Sequence, residues 1–88
     1  MPEKEVRVIQ SVQRAIDIIN CFDEHELKLT LPQISAKLEL NINTVRGLVN
    51  TLVASGYLEH VADGNCYMLG LAFLPKADLA GAHDIDRL

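Results

Sequence analysis

Eighty-eight residues, 49% of them apolar and 23% charged, make one small domain with room for a single core. Aromatic residues are only 5% and Trp is absent, so that core has to be aliphatic. The net charge of −4 has the wrong sign for an ordinary basic nucleic-acid binder, and no apolar run approaches the roughly 20 residues that span a bilayer.

The N-terminus opens Met1-Pro2-Glu3-Lys4-Glu5, with charges where a secretory signal would be apolar, so the chain reads as cytoplasmic and without a membrane partner. Residues 1–10 read as an N-terminal arm. A first helix follows from about Ser11, a good N-cap, to Phe22. Val12, Ala15, Ile16, Ile19 and Phe22 recur on its inward face at three- and four-residue spacing. The acidic stretch 23–26, with His25 as a solvated loop residue, ends this helix. Leu27-Lys28-Leu29 alternates apolar and polar as a very short strand would.

Thr30-Leu31-Pro32-Gln33 starts a second helix of about two turns: Thr30 caps, Pro32 is tolerated in the first turn, and Gln33 can complete a capping box. Leu31, Ile34 and Leu38 form its inward stripe. After the turn Glu39-Leu40-Asn41, a third helix capped by Asn41 or Asn43 runs to about Ser55, with Gly56 at its C-terminus. The period then changes to that of strands. Tyr57–Val61 and Cys66–Leu69 flank Ala62-Asp63-Gly64-Asn65, in which Asp63-Gly64 is the favoured positive-φ pair of a hairpin turn. Gly70 closes the second strand. Leu71–Ala82 is apolar enough for a partial helix whose start Pro75 limits, and the tail from Gly81 has no clear pattern.

This order predicts a mainly α fold with a small β-hairpin, a winged helix-turn-helix: α-β-α-α-β-β over 11–70, then the start of a linker helix over 71–88. The third helix carries the functional signal. With Val45 at the centre of its buried face, Leu48, Val49 and Leu52 fall inward, while Asn43, Gly47, Asn50 and Ala54 fall opposite, flanked by Thr44 and Arg46. A solvated surface helix of this length would carry several charges; this one carries one Arg. Asn can pair with adenine, Arg with guanine, and Thr with phosphate or the thymine methyl, so the face suits a major groove. Gly47 gives up about 1 kcal/mol of helix stability relative to Ala, and close approach of the backbone to DNA would explain it. The N-terminus of the second helix, at Pro32 and Gln33, together with Lys28, Lys37, Asn41 and the wing-tip Asn65, supplies candidate backbone contacts.

Charge distribution agrees. Residues 1–27 sum to −3 and 63–88 to −2, whereas 28–62, with Lys28, Lys37 and Arg46 against Glu39 and Glu59, sum to +1. The same acidity motivates an alternative, a winged helix that binds protein and not DNA. A further possibility is a domain that mainly dimerises, through Leu71, Phe73, Leu74 and Leu79.

Cys21 and Cys66 read as small apolar residues, and His60, six residues before Cys66, does not make a zinc spacing with it. With no phosphate-binding glycine loop, nucleophile elbow or acid–base cluster, neither an enzyme nor a metal or other cofactor is expected.

Three segments make the chain resemble the IclR family of bacterial transcription regulators: Val8–Ile19, with its S-V-x-R-A-x-D-I opening at Ser11; Leu38–Val45; and Leu52-Val53-Ala54-Ser55-Gly56-Tyr57-Leu58 running into Tyr67-Met68-Leu69-Gly70. The resemblance implies sequence-specific binding to an operator in double-stranded DNA and a homodimer or tetramer. It also implies a larger C-terminal domain that senses a small-molecule effector. Where the family commonly has Ser-Thr-Val, an aromatic or His, then Arg, this chain has Asn43-Thr44-Val45-Arg46-Gly47. The Arg is displaced by one position, so no operator sequence carries over.

Overall fold

The computed structural model describes residues 6–86, with side chains to Gly81. Its elements are α1 (Gln10–Ile19), α2 (Leu31–Leu38), α3 (Ile42–Ala54), β1 (Leu58–Val61), β2 (Cys66–Leu69) and α4 (Phe73–Asp86). This is the winged helix-turn-helix order. Of the expected arm, residues 1–5 lie outside the described residues, and Gln10 belongs to α1. Arg87 and Leu88 at the end of the tail also lie outside them.

The core is aliphatic, as the composition requires. Ile18, Leu29, Ile34, Val45, Val49 and Leu58 are essentially inaccessible to solvent, with Phe22 and Tyr67 beside them. Fully burying side chains of this size is worth about 1.5–3 kcal/mol each, so these residues dominate what holds the three helices and the hairpin together.

The first helix differs from expectation in two ways. It begins at Gln10 with Ile9 at the N-cap and no side-chain cap, so Ser11 lies inside it, and it ends at Ile19, short of Phe22. Its inward face is also rotated. Ile18 is fully buried and Ala15 and Ile19 are partly so, while Val12 is 56% and Ile16 44% exposed. The helix has two apolar faces, and periodicity alone cannot say which one meets the core. Beyond it, the Asp23 carboxylate accepts from the backbone N–H groups of His25 (2.8 Å) and Glu26 (2.9 Å), which closes the acidic loop and holds that carboxyl below its usual pKa.

The second helix has the complete capping box. Gln33 N donates to Thr30 Oγ1 at 3.3 Å, and Thr30 N donates to Gln33 Oε1 at 2.8 Å. At its other end Glu39 takes a left-handed conformation (φ 55°), turning the chain within three residues toward α3. The Ser35 hydroxyl donates to the Leu40 carbonyl and ties down that turn. Asn41 is the N-cap of α3, its Oδ1 accepting from Asn43 N at 2.7 Å. Gly56 (φ 87°) terminates α3, with Tyr57 N donating to Leu52 O and Gly56 N to Val53 O, the paired bonds of a Schellman motif.

In the wing, β1 and β2 pair antiparallel with Val61 opposite Cys66 and Leu58 opposite Leu69. The short strand expected at Leu27–Leu29 is reduced to a single bridge in which Leu29 and Tyr67 exchange both backbone bonds (3.0 and 2.8 Å). Leu27 is exposed. The positive-φ residues of the turn are Gly64 (88°) and Asn65 (49°), one position later than Asp63-Gly64, although the bond from Asn65 N to Ala62 O encloses Asp63 and Gly64 at the centre of the turn. Cys66 is buried and Cys21 partly so, and burial pushes the Cys21 thiol up.

The tail is more ordered than its composition suggested. Helix α4 continues through Asp86, and Pro75 falls in its first turn, where an N–H would lack an intrahelical acceptor anyway. Phe73 packs edge-on against Tyr57 at 4.9 Å between centroids, whereas Leu71, Leu74 and Leu79 are exposed.

Gly70 locks these pieces. Its N–H donates to Tyr57 O at 2.9 Å, and Ala72 N donates to Gly56 O at 3.1 Å. A Cβ at Gly70 would be driven into the Gly56 carbonyl and the Tyr57 backbone, which have no side chain to swing away. Gly70→Ala is therefore expected to lower stability by about 1–3 kcal/mol, read as a reduced urea midpoint at unchanged slope; an unchanged midpoint would contradict this packing.

Candidate nucleic-acid interface

Burial divides α3 as the helical wheel predicts. Val45 and Val49 have no exposed surface and Leu48 and Leu52 are partly buried, while Asn43, Arg46, Gly47, Asn50, Thr51 and Ala54 are exposed. Thr44 is half-buried on the flank. Arg46 is the sole charged residue of the helix.

A groove of about 350 Å³ runs beside this face, lined by Thr30, Leu31 and Pro32 from the start of α2, Ile42 and Arg46 from α3, and Gly64 and Asn65 from the wing tip. Three candidate residues widely separated in sequence, Pro32, Arg46 and Asn65, therefore meet at one place. Asn65 is fixed by His60, whose Nε2 lies 2.9 Å from Asn65 Oδ1, and the His60 ring leans on Tyr67 at 5.0 Å between centroids. Sequence reasoning missed His60 as a supporting residue. Its only signal was a position five residues before Asn65, across a turn whose register was not yet known.

Other candidates are engaged elsewhere. Gln33 spends its side-chain oxygen and its N–H in the capping box, and Pro32 has no N–H, so the first turn of α2 offers a phosphate less than its position suggests. Lys37 lies in the last turn of α2 and hydrogen-bonds Glu26, whose carboxylate pushes the ammonium's pKa up. Asn41 uses its oxygen to cap α3. On the exposed face, Arg46 Nη1 donates to Asn43 Oδ1 at 2.7 Å, and Thr51 Oγ1 donates to Gly47 O at 3.0 Å. Among the described residues, no group of three or more His, Cys, Asp or Glu is arranged to hold a metal ion, and no helix is long and apolar enough to cross a membrane.

A two-helix unit with an exposed polar helix face, flanked by a hairpin whose tip reaches the same groove, defines a winged helix-turn-helix domain. Residues 11–62 match the IclR helix-turn-helix domain family, and the chain belongs to that family, as its sequence motifs implied. It is 32% identical over 79 residues to the HTH-type transcriptional regulator XynR of Escherichia coli, a match covering 89% of this chain and 31% of that protein. Among solved structures it is similar to an IclR-family protein from Rhodococcus sp. (35% identity, TM-score 0.75, covering 82% of this chain and 28% of that one). It also resembles an IclR homologue from Microbacterium hydrocarbonoxydans complexed with 4-hydroxybenzoate (22% identity, TM-score 0.67, 72% of this chain and 26% of that one). The chain thus spans about a third of the length of these relatives. The relative XynR is a transcriptional regulator, and the family that this chain matches is defined by its helix-turn-helix domain.

Gly47 offers a clean test of the face. A Cβ there would meet nothing within 4 Å, so Gly47→Ala is free of clash and should raise helix stability by up to about 1 kcal/mol. In a domain of this size that is roughly 4–8 °C in thermal midpoint. A fall in the midpoint would show that α3 is packed on both faces.

Proposed function

We propose that this chain reads an operator by laying α3 in the major groove of duplex DNA, with Asn43, Arg46 and Asn50 toward base edges and Gly47 allowing the backbone close. Thr44 and Asn41 flank the reading face, and Pro32, Gln33 and Asn65 border the adjoining phosphates. Lys37 is the least favoured of the candidate contacts because it is already paired with Glu26. The observation that carries this reading is the exposed, nearly uncharged hydrogen-bonding face of α3, opening on the groove that α2 and the wing tip share.

In the longer protein we take residues 11–70 as the DNA-binding domain and 71–88 as the start of a linker to an effector-binding domain. The 4-hydroxybenzoate complex of the Microbacterium homologue supports a small-molecule effector there. The exposed Val12, Ile16, Leu74 and Leu79 support pairing of two copies, which would set two α3 helices on half-sites about 34–36 Å apart. A non-enzymatic, cytoplasmic regulator follows from this reading. The acidic balance that motivated a protein-binding alternative lies mostly outside residues 28–62.

Selection of bound sequences from a random duplex library at low salt tests the proposal. A defined motif should be enriched, Arg46→Ala should weaken its binding by about tenfold or more, and Gly47→Ala should bind less tightly although it folds more stably. With about 3–5 phosphates neutralised per protomer, log K against log salt should have a slope of about −3 to −4.5. Failure to enrich any sequence would overturn the DNA reading.

A further inference from the structure

We infer that Asn43 does not read a base as a free amide but aims Arg46, so that the first turn of α3 presents donors to the groove and selects guanine. This rests on the placement of α3 in the major groove proposed above, and it names the base class that placement would read.

Asn43 and Arg46 are three residues apart on one exposed helix face, and Arg46 Nη1 donates to Asn43 Oδ1 at 2.7 Å. The guanidinium has only donors, so the amide atom facing it has to be the oxygen. The Asn43 backbone is held in turn by its N–H bond to Asn41 Oδ1 at 2.7 Å. The cap, the amide and the guanidinium thus form one chain of hydrogen bonds at the start of α3.

An Asn that reads adenine must accept from N6 with its oxygen while donating to N7 with its nitrogen. Here the oxygen already serves Arg46, and to share it with N6 would press a donor-only cation against a donor amino group. Guanine presents acceptors at both N7 and O6, which match the guanidinium N–H groups that Arg46 has left. Asn43 Nδ2 remains free to donate to a neighbouring acceptor. Holding the side chain in advance also reduces the rotamer entropy lost when Arg46 meets its base. Asn43 is a positioning residue for Arg46 in this arrangement.

The test uses the enriched duplex, with each guanine in turn replaced by 7-deazaguanine and each adenine by 7-deazaadenine. We expect a guanine position at which loss of N7 weakens binding by about tenfold. That sensitivity should disappear in Arg46→Ala and shrink sharply in Asn43→Ala. It should persist in Asn43→Asp, which keeps an acceptor for Arg46 though its charge lowers affinity for every duplex. An amide reading adenine gives the opposite pattern: the largest loss at a 7-deazaadenine, removed by Asn43→Asp and indifferent to Arg46→Ala. That pattern, or insensitivity to every 7-deazaguanine, overturns the inference while leaving DNA binding intact. Absence of binding to any duplex overturns the DNA reading and this inference with it.

Discussion

Everything the candidate interface displays depends on two valines. Val45 and Val49 are completely buried among Ile18, Ile34 and Leu58, and together they fix the rotation of α3 about its axis. A turn of 100°, one residue, would carry Arg46 and Asn50 toward the core and leave each without solvent or partner. The cost of burying an unpaired guanidinium far exceeds anything the outer face could return. The apolar stripe thus decides which side chains face outward, although none of its members touches the groove. Length is set equally firmly, by the Asn41 cap at one end and the Gly56 turn at the other.

The wing depends on that same helix through its exit. Gly56 ends α3 in a conformation that only glycine adopts freely, and Gly70 passes so close to the Gly56 carbonyl that no side chain fits. Those two glycines, with the Leu29–Tyr67 bridge, hold the hairpin so that its tip stands beside Arg46. Charge is arranged around this scaffold and not in it. The acidic loop closes on itself through Asp23 and takes up Lys37 through Glu26, leaving Arg46 as the cation lining the groove.

Much of this was legible in the residues because local rules and burial agreed. Thr30 with Gln33, Asn41 before α3, Gly56 after it, and the inward set of Val45, Val49, Leu48 and Leu52 follow from capping chemistry and a 3.6-residue period. Where two answers satisfied the same rule, the sequence could not choose. Val12 and Ile16 make as good a stripe as Ala15, Ile18 and Phe22, and only the packed core selects the latter. Asp63-Gly64 and Gly64-Asn65 both permit positive φ, and no pattern in the residues says which pair adopts it. The pairing of Lys37 with Glu26 joins positions 11 apart through a loop whose path no pattern encodes. The contact between Asn43 and Arg46 was available from their spacing, but the same spacing also fits two independent base contacts.

The most direct test of the central claim, that the outward face of α3 and the wing tip form the DNA-binding surface, is amide chemical-shift mapping of the ¹⁵N-labelled chain titrated with duplex DNA at low salt. The account predicts that the largest perturbations fall on residues 42–54 and on 62–65, with Arg46, Gly47 and Asn50 prominent and the 23–26 loop unaffected. Perturbations confined to α1 and α4, with α3 silent, would contradict it.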